Sequence, residues 1–262
     1  MKDIYIVSDV HLDYIVGEQN TIYKNFLNMF EKDKTYFIAG DIYDNLEKTL
    51  RFLSDMEKNE INCYFVLGNH EFHELRHAPT MANFHGWDSF VKKAIKFTQK
   101  FKYVHFLHTS NVLEWNGYKI VGDTAWTNFK INKKLIDVKK FKKDFPTSIR
   151  SGNYKWNIKQ NVALENKINE TIKNNDKVIV LTHFPLYIPD ISIVDKSERI
   201  YPALNSDLIT FYYSDNDIKV AKNKHVYFIH GHTHGKAYQE NHFTNAIGRE
   251  GKNITIEKLS IV

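Results

Sequence analysis

Residues 4–11 read IYIVSDVH, an apolar run of strand character that ends in a carboxylate, Asp9, and an imidazole, His11. Outward from there the same pattern recurs. TYFIAGD (35–41) runs into Asp41, and CYFVLGNH (63–70) runs into Asn69 and His70. KVIVLTH (177–183) ends on His183, and HVYFIHGHTH (225–234) ends on Gly231, His232 and His234. Amphipathic stretches separate the first three runs. Ile22, Phe26, Met29 and Phe30 share one helical face, as do Leu46, Leu50, Leu53 and Met56. A β-α-β-α-β succession needs crossovers, and these make a parallel sheet. Strands that are apolar throughout fit a sheet covered on both faces. In such a sheet ligands bind just outside the carboxyl ends of the strands. The polar blocks are therefore expected along one edge of parallel neighbours, sharing one pocket.

The rest of the chain changes character. Residues 71–86 carry His73, His77, His85, Pro79 and Gly86 and read as a loop over that pocket, followed by a helix near Trp87–Ile95. NVLEW (111–115), Asn116-Gly117 and YKIVGDTAW (118–126) predict a hairpin, because Asn-Gly suits a type I′ turn. A second, partly antiparallel sheet is expected from it. Residues 130–156 read as irregular and 157–174 as a helix. The latter half of 184–224 is expected to be helical, and the alternating tail KNITIEKLSIV (252–262) to close the second sheet. With no repeat or linker in view, residues 1–262 read as one domain.

Composition narrows the class. The chain has 262 residues, 42 % apolar and 26 % charged, which is ordinary for a globular protein. The 18 Phe and 15 Tyr fit core packing better than a binding platform. Cys63 is the single cysteine and sits in an apolar run, which excludes an intrachain disulfide. MKDIYIVSDV lacks the apolar core of a signal peptide, and no stretch reaches the ~20 apolar residues of a membrane span. A cytoplasmic protein without a membrane partner is expected. The net charge of +5 is modest, and of the 36 basic residues only Arg51, Arg76, Arg150, Arg199 and Arg249 are arginine. Base and phosphate readers favour Arg, so a nucleic-acid partner is possible but not favoured.

Each motif alone is weak; together they carry chemistry. Asp-x-His, Gly-Asp and a strand-end His all occur in ordinary loops. Asn69-His70 has no obvious folding role, and Gly231-His232-x-His234 places two imidazoles beside a glycine past a strand. The donors are O and N with no thiolate, which suits Mn²⁺, Fe or Zn²⁺ and disfavours a Cys-rich structural zinc site. Seven such ligands exceed one coordination sphere and suit two ions if one carboxylate bridges.

Asp9-x-His11, Gly40-Asp41, Gly68-Asn69-His70-Glu71, His183 and Gly231-His232-x-His234, in that order, resemble the signature of the calcineurin-like metallophosphoesterases over nearly the whole chain. IVGDTAWTNF (120–129), KKDFPTSIR (142–150) and LNSDLITFYYSD (204–215) look similar to stretches of a bacterial and phage subgroup. The resemblance implies an α/β fold built as a four-layer α/β/β/α sandwich of two mixed sheets. It implies that Asp9, His11 and His234 hold one metal, that Asn69, His183 and His232 hold the other, and that Asp41 bridges. It further implies a bridging hydroxide attacking phosphorus in line, with His70 assisting the leaving group and Asp44 orienting His70. Two divalent ions are expected, Mn most of all, with Fe, Zn or Ni as alternatives. Glu71 receives no metal.

Asp41-Ile-Tyr-Asp44-Asn45 lacks the Arg-Gly that follows in Ser/Thr protein phosphatases, and Leu12 stands where they have Gly. At about 31 kDa there is no room for the extra domain of Mre11-like nucleases. The leading expectation is a phosphoester hydrolase for a small or nucleotide-like substrate. The alternatives are a nuclease acting on phosphodiesters and a non-catalytic metal-binding module. Substrate contacts are sought in 71–86 and 186–215, where His73, Arg76, His77, Tyr187 and, farther on, Arg249 could touch phosphate or base.

Overall fold

In the computed structural model, which describes residues 2–77, 83–137, 154–187, 213–233, 236–239, 241–245 and 254–262, the first apolar run forms β1 (Lys2–Val7). It pairs in parallel with β2 (Thr35–Ile38), β2 with β3 (Asn62–Phe65), and β3 with β4 (Val104–Phe106). Three helices make the crossovers: α1 (Gln19–Leu27), α2 (Leu46–Lys58) and α3 (Asn83–Thr98). The Asn45 side chain caps α2 by accepting from Lys48 N at 2.9 Å, satisfying a backbone donor that the first turn leaves unpaired. The helix then buries Leu46, Leu50, Leu53 and Met56, the face its periodicity predicts.

The second sheet runs β11 (Lys236–Gln239), β12 (His242–Asn245), β10 (His225–His230), β9 (Lys177–Thr182), β6 (Tyr118–Asp123) and β5 (Leu113–Trp115). Its centre is parallel and its two margins are antiparallel. The β5–β6 hairpin turns as expected through Asn116 (φ 49°) and Gly117 (φ 82°), the two positive φ values that a type I′ turn needs. After a small hairpin of β7 (Lys130–Ile131) and β8 (Lys134–Leu135), α4 (Tyr154–Asn174) packs on β6 and β9.

Alternation along the strands explains the layering. Ile4, Ile6, Phe37, Ala39, Tyr64 and Val66 point to one side and meet Ile120, Ile179, Leu181 and Ile229 of the other sheet. Their neighbours Val7, Ile38, Cys63 and Phe65 point outward under α1–α3, and Val121, Val178 and Val180 point outward under Leu164, Ile168 and Ile172 of α4. The order is helices, sheet, sheet, helix: the expected four-layer α/β sandwich. Burying one such side chain as large as Phe37 contributes about 2–3 kcal/mol.

Four expectations need correction. The tail does not join the second sheet; β13 (Glu257–Ile261) pairs antiparallel with β1 in the first. Its alternation predicts one buried face but not which sheet it lies on, and pairing there covers the open side of β1. Residues 213–224 contain no helix. Their polar groups bond instead to side chains elsewhere: Asn128 Nδ2 donates to Asp215 O, and Glu165 accepts from Asp217 N. The stretch 71–86 is not one loop, because a 3-10 helix spans His70–His77 and α3 already begins at Asn83. Finally, the motif-bearing strands do not form one edge. Three belong to the first sheet and two to the second, so the site lies where the carboxyl ends of two stacked sheets meet. KKDFPTSIR and most of LNSDLITFYYSD lie outside the described residues.

Candidate active site

Beyond the strand ends, the β1 and β2 loops keep pairing. Asp9 N donates to Gly40 O (3.0 Å), His11 N to Asp41 O (3.1 Å) and Leu12 N to Ile42 O (2.9 Å). Asp9 (φ 52°), His11 (φ 47°) and Asp41 (φ 56°) all take the left-handed backbone, as does His232 (φ 67°) at the end of β10. Such residues cost about 1–3 kcal/mol each and persist only where their surroundings over-determine them. Two glycines show how closely the loops approach. A Cβ on Gly231 would stand 2.6 Å from Asp9 Oδ2 and 2.9 Å from Ala39 O, and one on Gly68 would collide with Asp41 Oδ1. That is the physical reason for Gly before Asn69 and before His232.

Asp41 lies at the centre. Its Oδ2 is 3.4 Å from His183 Nε2, 3.8 Å from His11 Nε2 and 3.8 Å from His70 Nε2. His11 Nε2 is 4.0 Å from Asp9 Oδ1. On the other side, His183 Nε2 lies 2.9 Å from Asn69 Oδ1 and 3.2 Å from His232 Nδ1. Donors that share an ion at about 2.1 Å stand roughly 3–3.5 Å apart, so this spacing suits a metal. Two groups able to hold an ion, His11–Asp41–His70 and Asp41–His183–His232, have Asp41 in common. Of the seven residues expected as ligands, Asp9, His11, Asp41, Asn69, His183 and His232 thus come together, and His234 lies outside the described residues.

The electrostatics also suit cations. Burial pushes the Asp9 carboxyl up to about 7, and the neighbouring Asp41 charge adds to this while His183 opposes it. Two carboxylates in one dry pocket repel each other until a positive charge enters. The donor set, imidazole, carboxylate and amide, is that of a first-row divalent ion. Cys63 faces the helices, not the pocket.

His70 enters through its backbone as well as its ring. Its N donates to Asp41 Oδ1 (2.8 Å), and its Nδ1 bonds Asp44 Oδ1, as expected for Asp44. Burial alone would raise the Asp44 carboxyl. Hydrogen bonds from His70, His73 and Tyr14 outweigh it and hold the group well below the usual carboxylate range.

The roles of three participants, Glu71, Tyr14 and His73, were not legible in the sequence. The buried Glu71 carboxylate accepts from Asp41 N (3.1 Å), Ile42 N (2.9 Å), Gly68 N (2.8 Å) and Thr49 Oγ1 (3.1 Å), bracing the loops that follow β2 and β3. Tyr14 and His73 reach Asp44. His73 is therefore turned inward, not free to overhang the pocket. Tyr187 packs edge-on against Phe228 and His242. The side chains of Arg76 and His77, and all of Arg249, lie outside the described residues.

Fold and site together define a metallohydrolase with its centre between two sheets. The chain belongs to the calcineurin-like phosphoesterase family, whose model matches residues 2–236, and is a metal-dependent phosphoesterase. In fold it is similar to the phosphopantetheinyl hydrolase of Mycobacterium tuberculosis, with 12 % identity and a TM-score of 0.62 over 98 % of this chain and 95 % of that one. A protein of unknown function from Aquifex aeolicus is 15 % identical over 72 % of this chain and 81 % of its own, with a TM-score of 0.28. No curated protein matches the sequence. Among the described residues no helix is long and apolar enough to cross a membrane.

Proposed function

We propose that this protein hydrolyses a small or nucleotide-like phosphoester with two divalent cations, Mn²⁺ being the best suited. Asp9, His11 and His234 would hold one, Asn69, His183 and His232 the other, with Asp41 common to both. When bound, the cations supply neutralising charge, Lewis acidity and activation of the attacking water. His70 holds a proton at Nε2 and gives it to the leaving oxygen as the P–O bond breaks, while the water whose oxygen bonds phosphorus loses its own proton to solvent. Asp44, bonded to Nδ1, fixes the ring's orientation.

The observation that carries this reading is the single carboxylate, Asp41, shared by two imidazole-containing groups with His70 Nε2 beside it. Support for a small substrate comes from the lysines. Lys32, Lys34, Lys48, Lys93, Lys119, Lys133 and Lys258 each pair with a neighbouring carboxylate. The charge of these seven is thus partly neutralised within the protein itself.

The test is a substrate panel on metal-stripped protein with added Mn²⁺: p-nitrophenyl phosphate, bis-p-nitrophenyl phosphate, cyclic nucleotides, dinucleoside polyphosphates and single-stranded DNA. Turnover of the small esters is expected. Turnover confined to DNA, with a steep logarithmic salt dependence, would replace the reading with a nuclease.

A further inference from the structure

Asp44 binds His70 with one carboxylate oxygen only. Its Oδ1 meets His70 Nδ1, and its Oδ2 accepts from His73 Nδ1 (3.0 Å) and from the Tyr14 hydroxyl. A carboxylate held at one oxygen can still rotate about its Cβ–Cγ bond; donors on both oxygens remove that freedom. The backbone of Asp44 is fixed too, its N donating to Asp13 Oδ2 (2.9 Å). Asp13 and Tyr14 belong to the 3-10 turn Leu12–Tyr14, which follows the ligand His11 directly. His73 stands three residues after His70 in another 3-10 helix, where positions i and i+3 eclipse. The two rings accordingly lie with centroids 3.9 Å apart and both reach Asp44. Two elements converge on one carboxylate, and neither Tyr14 nor His73 belongs to a strand or to the hydrophobic core. Tyr14 is 41 % exposed and its ring stands edge-on to His11 and His70, contacts that Tyr14→Phe would keep while removing only the hydroxyl.

We propose that Tyr14 and His73 are positioning residues for His70, acting through Asp44: they hold the carboxylate plane so that the His70 ring keeps its Nε2 on the reacting oxygen. This rests on the reading of His70 as the proton donor. Small displacements of a reacting group cost large factors in rate, up to about 10²-fold for 1 Å. The clamp should therefore act on kcat, not on substrate binding, and most where the leaving oxygen needs its proton.

The experiment uses the Mn²⁺-loaded full chain and two esters that differ only in leaving group, p-nitrophenolate and the more basic phenolate. Tyr14→Phe and His73→Leu should each lower kcat on the phenyl ester by roughly 10-fold, and less on the p-nitrophenyl ester. KM and metal content should be unchanged. His73→Asn keeps an N–H donor near the place of Nδ1 and should recover most of the rate. In an Asp44→Ala background neither Tyr14→Phe nor His73→Leu should cost anything more, because the group they act through is gone. Losses as large in that background as in the parent, or a rise in KM in place of the fall in kcat, would overturn the clamp. His70→Ala separates the two failures. If its own loss is equal for both leaving groups, the proton-donor reading falls and the clamp falls with it. If its loss grows with leaving-group basicity while Tyr14 and His73 stay uncoupled from Asp44, the clamp alone falls.

Discussion

His183 Nδ1 donates to the carbonyl oxygen of Ala39 at 2.7 Å, tying the end of β9 in one sheet to the end of β2 in the other. A carbonyl can only accept, so the bond places a proton on Nδ1 and leaves Nε2 as the ring nitrogen turned toward Asn69 Oδ1 and Asp41 Oδ2. An outer hydrogen bond of this kind sets tautomer and ring orientation for a ligating histidine. Here it also carries register between two sheets.

The native protein loaded with Mn²⁺ should therefore contain about two ions per chain. His183→Ala should leave about one, because it removes a ligand from the group around Asn69 and His232 while Asp9, His11 and Asp41 stay. Elemental analysis after gel filtration reads both values. A native content of one ion at full activity would refute a shared Asp41.

Gly231→Ala tests the close approach of the last loop. Its Cβ would stand 2.6 Å from Asp9 Oδ2, so either that carboxylate or the His232 loop must shift. The backbone amide of His232 now donates to both Asp9 oxygens, at 3.0 and 2.9 Å, and would move with it. Metal affinity should fall roughly 10–100-fold, the range for a disturbed supporting contact. Competition with a fluorescent chelator measures it; an unchanged affinity would show that the loop yields without cost.

What was legible in the sequence was local. A strand that runs into Asp9 or His183 announces both its end and the polar side chain it delivers to the pocket, because a parallel sheet presents side chains at its carboxyl edge. The Asn116-Gly117 turn was legible because Asn and Gly accept the two positive φ values of a type I′ turn. Contacts that depend on how elements dock were not. Nothing near Glu71 in the chain announces that its oxygens will meet the amides of Asp41 and Ile42, which arrive from a different loop. His73 read as an exposed lid histidine because its partner Asp44 is brought in by α2's entry loop. The tail's alternation was visible, but both sheets offered it a face. Residues 213–224 follow side chains such as Asn128 and Glu165, whose bonds a periodicity argument cannot see.

Glu71→Gln isolates the brace. The amide keeps the volume but turns one acceptor oxygen into a donor facing N–H groups of Asp41, Ile42 and Gly68. A buried donor left facing donors costs about 1–3 kcal/mol. Thermal unfolding of the metal-free variant should show a lowered Tm, and its Mn²⁺ affinity should drop as well, since both ligand loops hang on the lost bonds. A lowered Tm with unaltered affinity would make Glu71 a fold residue only.

The pH dependence of the metal-free protein follows from Asp9. Burial first, and the charge of Asp41 next, raise its carboxyl to about 7, above the ordinary value of ~3.9. The folded chain then binds a proton that the unfolded chain has released, so between these values stability falls as pH rises. The contribution is fully present below about pH 4 and is lost as pH passes through about 7. Metal-stripped protein should accordingly show a Tm that declines from about pH 5 to about pH 8, and Asp9→Asn, which cannot ionise, should flatten that decline. Cation binding displaces the same proton, so Mn²⁺ affinity should rise over this window and level off above it. Calorimetric titrations at about pH 6, in buffers of different ionisation enthalpy, should report proton release on binding that disappears by about pH 8. Release that is absent at the lower pH would mean that Asp9 is already ionised in the empty pocket, and that burial beside Asp41 is offset by a positive group.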